Sequence, residues 1–307
     1  MAITAPTVWL DGELIPKERA TAPLMGHAIQ RGSLVFDVGS FHATEGGPVL
    51  FRAHEHVVRF LRSSAIVGLA IAHDEETLVR AAIDVVRASG STEGLIRWSA
   101  FFEADESDLV PRSNHARVAV AAMALQDPPR ATPIKIAIYD DARKAPSDVL
   151  SPHAKAAAAY LGPMLHRRRA IADGHDDVVL LDRDGNIAEG PIANAFAVVG
   201  GAVWTPPIDR VLPGITRDAV LAIARAEGIP VREEPLPRAT FESADEAFLS
   251  ATSLPIASIG SINGRALKNA PGPITQRLRK ILEAALHGRD DRFRSWLRTL
   301  DGLLPPR

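Results

Sequence analysis

The stretch Gln126–Pro133 (QDPPRATP) places three prolines within eight residues. It interrupts both helical and strand periodicity, because proline lacks the backbone donor and biases the preceding residue away from helix. A chain of 307 residues has the length of about two domains, and this stretch is where one would end. The sequence therefore reads as a small domain over 1–125, a linker over 126–133 and a larger domain over 134–307.

On the N-terminal side, Val8–Leu10 and Glu13–Ile15 flank Asp11-Gly12, which signals a tight hairpin. Residues 33–42 and 49–52 read as two more strands around Gly46-Gly47. Val57, Phe60, Leu61 and Ala65 share one face of a helix expected over 53–67, and Asp74 can cap a second helix that stops near Gly90. The apolar runs Leu95–Phe102 and Arg117–Leu125 predict buried strands. Past the linker, strands are expected at Ile134–Tyr139, Asp177–Leu181, Val231–Glu234 and Ala247–Ala251. Two hairpin turns are expected, at Gly200-Gly201 between Ala193–Val199 and Ala202–Thr205, and at Asn263-Gly264. Helices are expected over most of Ala154–Ala172, from Thr216, near Arg238–Ala244, over Pro273–Leu286 and near Arg292–Leu300. Strands and helices mix in both halves without strict βαβ alternation, which gives two α+β domains.

Several chemistries are excluded. The formal net charge of -2 offers no surface for nucleic acid or an anionic membrane. With no cysteine, disulfides, thiolate nucleophiles and cysteine-ligated metals are absent. Met1–Leu10 lacks a signal-peptide pattern, and Val118–Leu125 is too short to span a bilayer, so a cytoplasmic protein is expected. His54-Glu55-His56 is not a zinc HExxH pattern, since Val58 stands where the second ligand belongs. The remaining histidines show no metal spacing, and no metal is expected. GxGxxG, P-loop and GxSxG patterns are missing.

Lysine is scarce: Lys17, Lys135, Lys144, Lys155, Lys268 and Lys280. All but Lys155 lie in polar or turn-like surroundings, where a solvated surface role is the default. Lys155 sits in HAKAAAAY, almost without side-chain volume on either side, which leaves room for a planar group at its tip. A desolvated amine also has a lowered pKa and attacks carbonyls more readily. By itself the segment reads more readily as an alanine-rich helix with one exposed lysine.

Three later segments bring in a family. Glu189-Gly190, Asn194 and Phe196 resemble the Glu-Gly-x-x-x-Asn-x-Phe signature of class IV (fold type IV) aminotransferases. Leu212-Pro213-Gly214-Ile215-Thr216-Arg217 resembles their phosphate loop, and Asp245-Glu246-Ala247-Phe248 to Thr252 their Asp-Glu-x-Phe-x-x-x-Thr segment. Phe51-Arg52 with His56, and Gly26–Phe36, resemble the family's upstream regions. The overall pattern is most similar to branched-chain amino acid aminotransferases. The resemblance implies a two-domain fold type IV enzyme (D-amino acid aminotransferase-like), a homodimer, with pyridoxal 5'-phosphate as cofactor.

It also implies roles. Lys155 holds the cofactor as a Schiff base and then acts as base and acid between substrate and cofactor. Glu189 keeps the pyridine nitrogen protonated. Gly214, Ile215 and Thr216 open a helix toward the phosphate, with Arg52 and Thr252 adding donors. Tyr160 lies near the phenolic oxygen, and Leu212 packs on a ring face. The implied reaction is ping-pong transfer of an amino group from an apolar amino acid to a 2-oxo acid. For the substrate, the family places Phe36, Val38, Leu95, Arg97, Ala251 and Ser253 around it. Leu95 stands where a tyrosine is usual, and Arg31 where an aromatic residue is usual. Either Arg31 or Arg97, or both, would then bind the carboxylate. (R)-selective amine transaminases, D-amino acid transaminases and aminodeoxychorismate lyases share these motifs, as would a relative that binds cofactor without catalysis.

Overall fold

The computed structural model describes residues 6–104, 106, 108–124 and 132–303, so residues 126–131 of the expected linker lie outside it. The chain forms two compact units. One comprises Met1–Pro128, Ala154–Ala158 and Ala284–Arg307; the other comprises Pro129–His153 and Ala159–Glu283. Two later segments thus join the N-terminal unit, which the proposed division at 126–133 did not anticipate.

In the first unit, β1 (Thr7–Leu10) and β2 (Glu13–Pro16) form the expected hairpin, with Asp11 and Gly12 at φ 48° and 110°. The short helix α1 (His27–Arg31) precedes β3 (Val35–Thr44) and β4 (Gly47–Phe51). Two longer helices follow, α2 (Ala53–Val67) and α3 (Glu75–Ser89), and then β5 (Gly94–Phe102) and β6 (Ala116–Ala124). Asp74 caps α3 by accepting from the Thr77 amide at 2.8 Å, and Gly90 ends it in the left-handed conformation. The sheet is antiparallel throughout, in the order β4-β3-β5-β6-β1-β2, and the short strands Leu297–Thr299 and Gly302–Leu303 extend it beyond β4. A buried core joins it to α2 and α3 through Val35, Phe41, Val57, Phe60, Leu78, Val85 and Trp98.

Strand alternation splits β3 between two faces. Val35, Asp37, Gly39 and Phe41 face α2, whereas Phe36 and Val38 face away. Asp37 is fully buried and accepts from His56 Nδ1 at 2.7 Å, Arg59 Nε at 2.7 Å and Arg59 Nη2 at 2.8 Å. His56 in turn lies parallel to Trp98, with ring centres 6.3 Å apart. Burial pushes the Asp37 carboxyl upward, but the Arg59 charge and the hydrogen bonds from His56 and Arg59 outweigh it and hold the group below the usual carboxylate range. For His56, burial lowers the pKa and the bond to Asp37 opposes it.

The second unit is a mixed α/β layer. Its strands are β7 (Ile134–Ala137), β8 (Asp177–Val178), β9 (Asn194–Val199), β10 (Ala202–Thr205), β11 (Val231–Glu233), β12 (Glu246–Ala251), β13 (Leu254–Ile262) and β14 (Arg265–Ala266). The order is β11-β10-β9-β12-β13-β7-β8, with β14 beside β13. The Gly200-Gly201 and Asn263-Gly264 turns both have positive φ, as expected. The helices are α4 (Leu161–Ala172), α5 (Ile215–Ala226), α6 (Arg238–Glu242) and α7 (Pro273–Leu286), the last of which ends in the first unit. Glu246 receives the amides of Ile274 and Thr275 at 3.0 and 2.7 Å, so this acidic residue caps α7.

One expected helix starts late and another is not formed. Residues 154–156 are extended rather than helical, because the backbone here pairs with the chain leading into β3: Phe36 N donates to Lys155 O at 3.0 Å and Ala157 N to Leu34 O at 2.7 Å. Helix begins only after the 3-10 turn Ala157–Tyr160. The region expected as a helix near Arg292–Leu300 is instead a 3-10 turn, Asp291–Trp296, followed by a strand that pairs with β4. The sequence reading marks only the end of β13, by the Asn263-Gly264 hairpin, since its Pro255 and its small polar residues weaken the rest of the strand pattern.

Asp37→Asn leaves the buried Arg59 guanidinium without its anion, and should cost about 3–5 kcal/mol in denaturant unfolding. The folded pKa values of Asp37 and His56 both lie below their unfolded values. Their contribution is therefore complete at neutral pH, declines below about 6.5 as unfolded-state His56 protonates, and is lost as Asp37 protonates below the usual carboxylate range. The wild-type Tm should fall over that interval, more steeply than that of the Asn variant.

Candidate active site

In the first unit, Lys155 lies on the extended segment described above. Its amide donates to Ser63 Oγ on α2 at 3.1 Å, and its carbonyl accepts from Phe36. The lysine is only 8% exposed, and its Nζ sits 5.0 Å from the centre of the Phe36 ring. The Arg97 guanidinium carbon lies 4.1 Å from the same ring centre. Register explains this grouping. Val38 pairs with Arg97 and Ser40 with Leu95, and directly opposed residues share a sheet face. Phe36, Val38, Leu95 and Arg97 therefore all project from the face opposite Asp37. Leu95 is buried and carries no hydroxyl.

Arg31 is placed differently. It ends α1 rather than lying in a strand, it is exposed, and its Nη1 donates to Gln30 O at 3.1 Å. Arg52 stands between β4 and α2 in the left-handed region (φ 47°, ψ 41°), which is costly for a residue with a Cβ. Two anchors hold it there: its amide donates to Trp296 O at 2.7 Å, and its Nε donates to Glu55 Oε1 at 2.8 Å. The guanidinium also lies over the Trp296 ring.

In the second unit, Glu189 is the centre of a fixed network. Its Oε2 accepts from Asn194 Nδ2 at 3.0 Å and from the Leu212 amide at 3.2 Å, and its Oε1 pairs with Lys144. Asn194 also donates to Leu212 O at 3.0 Å, tying Glu189 to the loop that enters α5. Gly214 is the N-cap of α5, and no side chain caps the helix. Thr216 in its first turn is 4% exposed, and its Oγ1 is buried with no hydrogen-bond partner. A buried hydroxyl lacking a partner, at the positive end of a helix, suits an anion. Arg217 points away into the core, where Nη2 donates to Pro206 O and to Glu233. Thr252 and Ser253 form the two-residue turn between β12 and β13, directly after Ala251. Tyr160 ends the 3-10 turn before α4 and is partly buried.

In the first unit Phe36, Val38, Leu95 and Arg97 thus share a sheet face with Lys155 against Phe36, in the second Glu189 is linked through Asn194 to Leu212 and Gly214, and Arg31 sits on an exposed helix end. Sequence reasoning missed Lys144, which it treated as solvated, and the positioning role of Asn194. Lys144 is brought to Glu189 by backbone pairing of Lys144 N to Leu181 O at 2.9 Å. Nothing in the local sequence signals that pairing.

Comparison with known proteins identifies the family. The family model for amino-transferase class IV matches residues 34–262, and the chain belongs to that family. It is therefore an aminotransferase. The branched-chain-amino-acid aminotransferase of Escherichia coli (strain K12) is 30% identical over 299 residues, covering 95% of this chain and 97% of that one. Among solved structures, the branched-chain aminotransferase of Thermoproteus uzoniensis with norvaline superposes with a TM-score of 0.92 at 32% identity, over 96% of this chain and 99% of that one. The branched-chain amino acid aminotransferase of Thermobaculum terrenum, in its PLP-bound holo form, gives 0.90 at 28%, over 97% and 99%. The fold is thus the two-domain α+β fold of type IV enzymes.

A Cβ at residue 214 would lie 2.0 Å from Asn194 Oδ1. Gly214→Ala should destabilise by about 1–3 kcal/mol, and most of that cost should vanish in an Asn194→Ala background, a coupling read from a double-mutant cycle of chemical unfolding.

Proposed function

We propose that this chain is a pyridoxal-phosphate-dependent aminotransferase acting on branched-chain or similar apolar amino acids and 2-oxo acids, as a cytoplasmic homodimer. The observation that carries the reading is the placement of an amine, Lys155, and a guanidinium, Arg97, over one aromatic ring. That arrangement offers a carbonyl-reactive nitrogen and a carboxylate-binding cation to a ligand resting on apolar surface. No helix among the described residues is long and apolar enough to cross a membrane.

The residues present fit the cofactor. The Thr216 hydroxyl and the uncapped start of α5 would bind its phosphate, and the family pattern adds Arg52 and Thr252 as donors. Glu189, oriented by Asn194 and the Leu212 amide, would hold a proton on the ring nitrogen. Leu212 would cover a ring face, and Tyr160 would donate to the phenolic oxygen. When bound, pyridoxal phosphate supplies an electron sink for the pair left at substrate Cα on proton removal. Lys155 would hold the cofactor by its amine and would move the proton at substrate Cα.

Substrate recognition falls to Arg97, with Phe36 and Val38 lining the side-chain pocket; the family pattern adds Ala251 and Ser253. Arg31 projects from an exposed helix end and is the weaker candidate for the carboxylate. The buried Leu95, where a hydroxyl is usual, favours a second reading: turnover of (R)-amines or D-amino acids on the same scaffold.

The deciding experiment follows bleaching of the visible-edge absorbance of the cofactor-loaded enzyme by L-amino acids, D-amino acids and (R)-amines in turn. Bleaching by L-leucine or L-valine is the expected result, and response to D-amino acids or (R)-amines alone would replace the reading. Lys155→Ala should lack that absorbance band. Arg97→Ala should raise KM for 2-oxo acids by about 10- to 30-fold, the size of a lost charged hydrogen bond, with less than about a twofold change in Arg31→Ala.

A further inference from the structure

Three residues distant in sequence, His42, Glu93 and His287, each offer a ligand atom, and these atoms lie within 4.8 Å of one another. All three belong to the first unit. We propose that they form a binding site for a divalent transition-metal ion of the zinc class, separate from the residues assigned to transamination.

The fold builds the cluster from three segments. In the β3–β5 ladder Ser40 pairs with Leu95 and Phe41 with Gly94. Carried one residue further, that register sets Glu93 opposite His42. Gly94 keeps the strands this close: a Cβ there would meet Met123 O at 2.4 Å and the Phe41 ring at 2.6 Å. His287 arrives just after α7, where Gly288 turns the chain with φ 67°. It is tied to β3 by a 2.9 Å hydrogen bond from Nδ1 to Ala43 O. The two imidazoles meet edge to face, with ring centres 5.5 Å apart.

The donor set suits zinc chemistry. Two imidazoles and one carboxylate leave a fourth position of a tetrahedron for water. Ligating histidines generally engage the other ring nitrogen with a carbonyl or hydroxyl, which fixes ring orientation and tautomer. Both have such a partner, Ala43 O for His287 and Ser40 Oγ for His42, the latter at 2.9 Å from Nε2. His42 is buried, while Glu93 and His287 keep 44% and 22% side-chain exposure, which gives an ion a path from solvent. Glu93 Oε1 stands 3.5 Å from His287 Nδ1, a long contact that the carboxylate would exchange for the metal. Ligands around tetrahedral zinc lie roughly 3.4 Å apart, so binding would draw the three groups together by side-chain rotation.

The test uses the cofactor-loaded enzyme without a histidine tag, stripped of metal, and titrated with Co²⁺ and Zn²⁺. Wild type should bind one Co²⁺ per chain with the visible bands of a tetrahedral ion, Zn²⁺ should displace it, and saturating Zn²⁺ should raise Tm. Glu93→Gln and His287→Asn, both partly exposed and so able to fold where a His42 variant would not, should each weaken Zn²⁺ binding at least tenfold and lose the Tm increase. Absence of saturable binding, or binding of unchanged strength in both variants, overturns the proposal.

Discussion

Asp37 keeps its negative charge with no exposed surface because Arg59, His56 and the amide of Val38 all donate to it. The bond to Val38 is local, but the other two come from α2, so the carboxylate locks one face of β3 to that helix. Strand side chains have a period of two, and a slip of one residue would exchange the faces. Such a slip would bury Phe36 and Val38 against α2 and aim Asp37 where the ligand is proposed to lie. An unpaired buried charge makes that alternative far more costly than a misplaced apolar residue would. One ionic cluster thereby fixes which residues of β3, and through pairing which of β5, are available for chemistry.

The second unit uses a different device. Glu189 is positioned by neutral donors on one oxygen and by a cation on the other. Asn194 and the Leu212 amide set its direction, and Lys144 pairs with its other oxygen. The same asparagine approaches Gly214 so closely that only glycine fits, which couples the carboxylate to the first turn of α5. The spacing Glu189–Asn194–Gly214–Thr216 is thus one mechanical unit, although in the sequence it looks like two motifs.

Much of this was legible in the sequence where local rules apply. The Asp11-Gly12, Gly200-Gly201 and Asn263-Gly264 turns, the Asp74 cap and the apolar faces of α2 and α3 all follow from short-range stereochemistry. Alanine propensity misled at Lys155, since pairing to the approach of β3 overrides helix preference there. Arg292–Leu300 failed similarly, because β4 offered an edge that no local pattern shows. Within the site, motif residues were legible as types at a spacing, but their roles were not. Arg217 proved to be a core residue bonded to Pro206 O and Glu233, and Glu246 a helix cap. Lys144 and the trio His42, Glu93 and His287 depend on long-range pairing, which periodicity does not encode.

The segment Ala154–Ala158 joins the first unit for only five residues, while the chain on either side belongs to the second. The nucleophilic lysine is therefore a guest, carried by the sequence of one unit and seated by the backbone of the other. Cutting the polypeptide at the boundary near residue 128 would give two pieces of sensible size, yet the N-terminal piece would lose both the segment bridged to the start of β3 and the reactive amine that this segment carries.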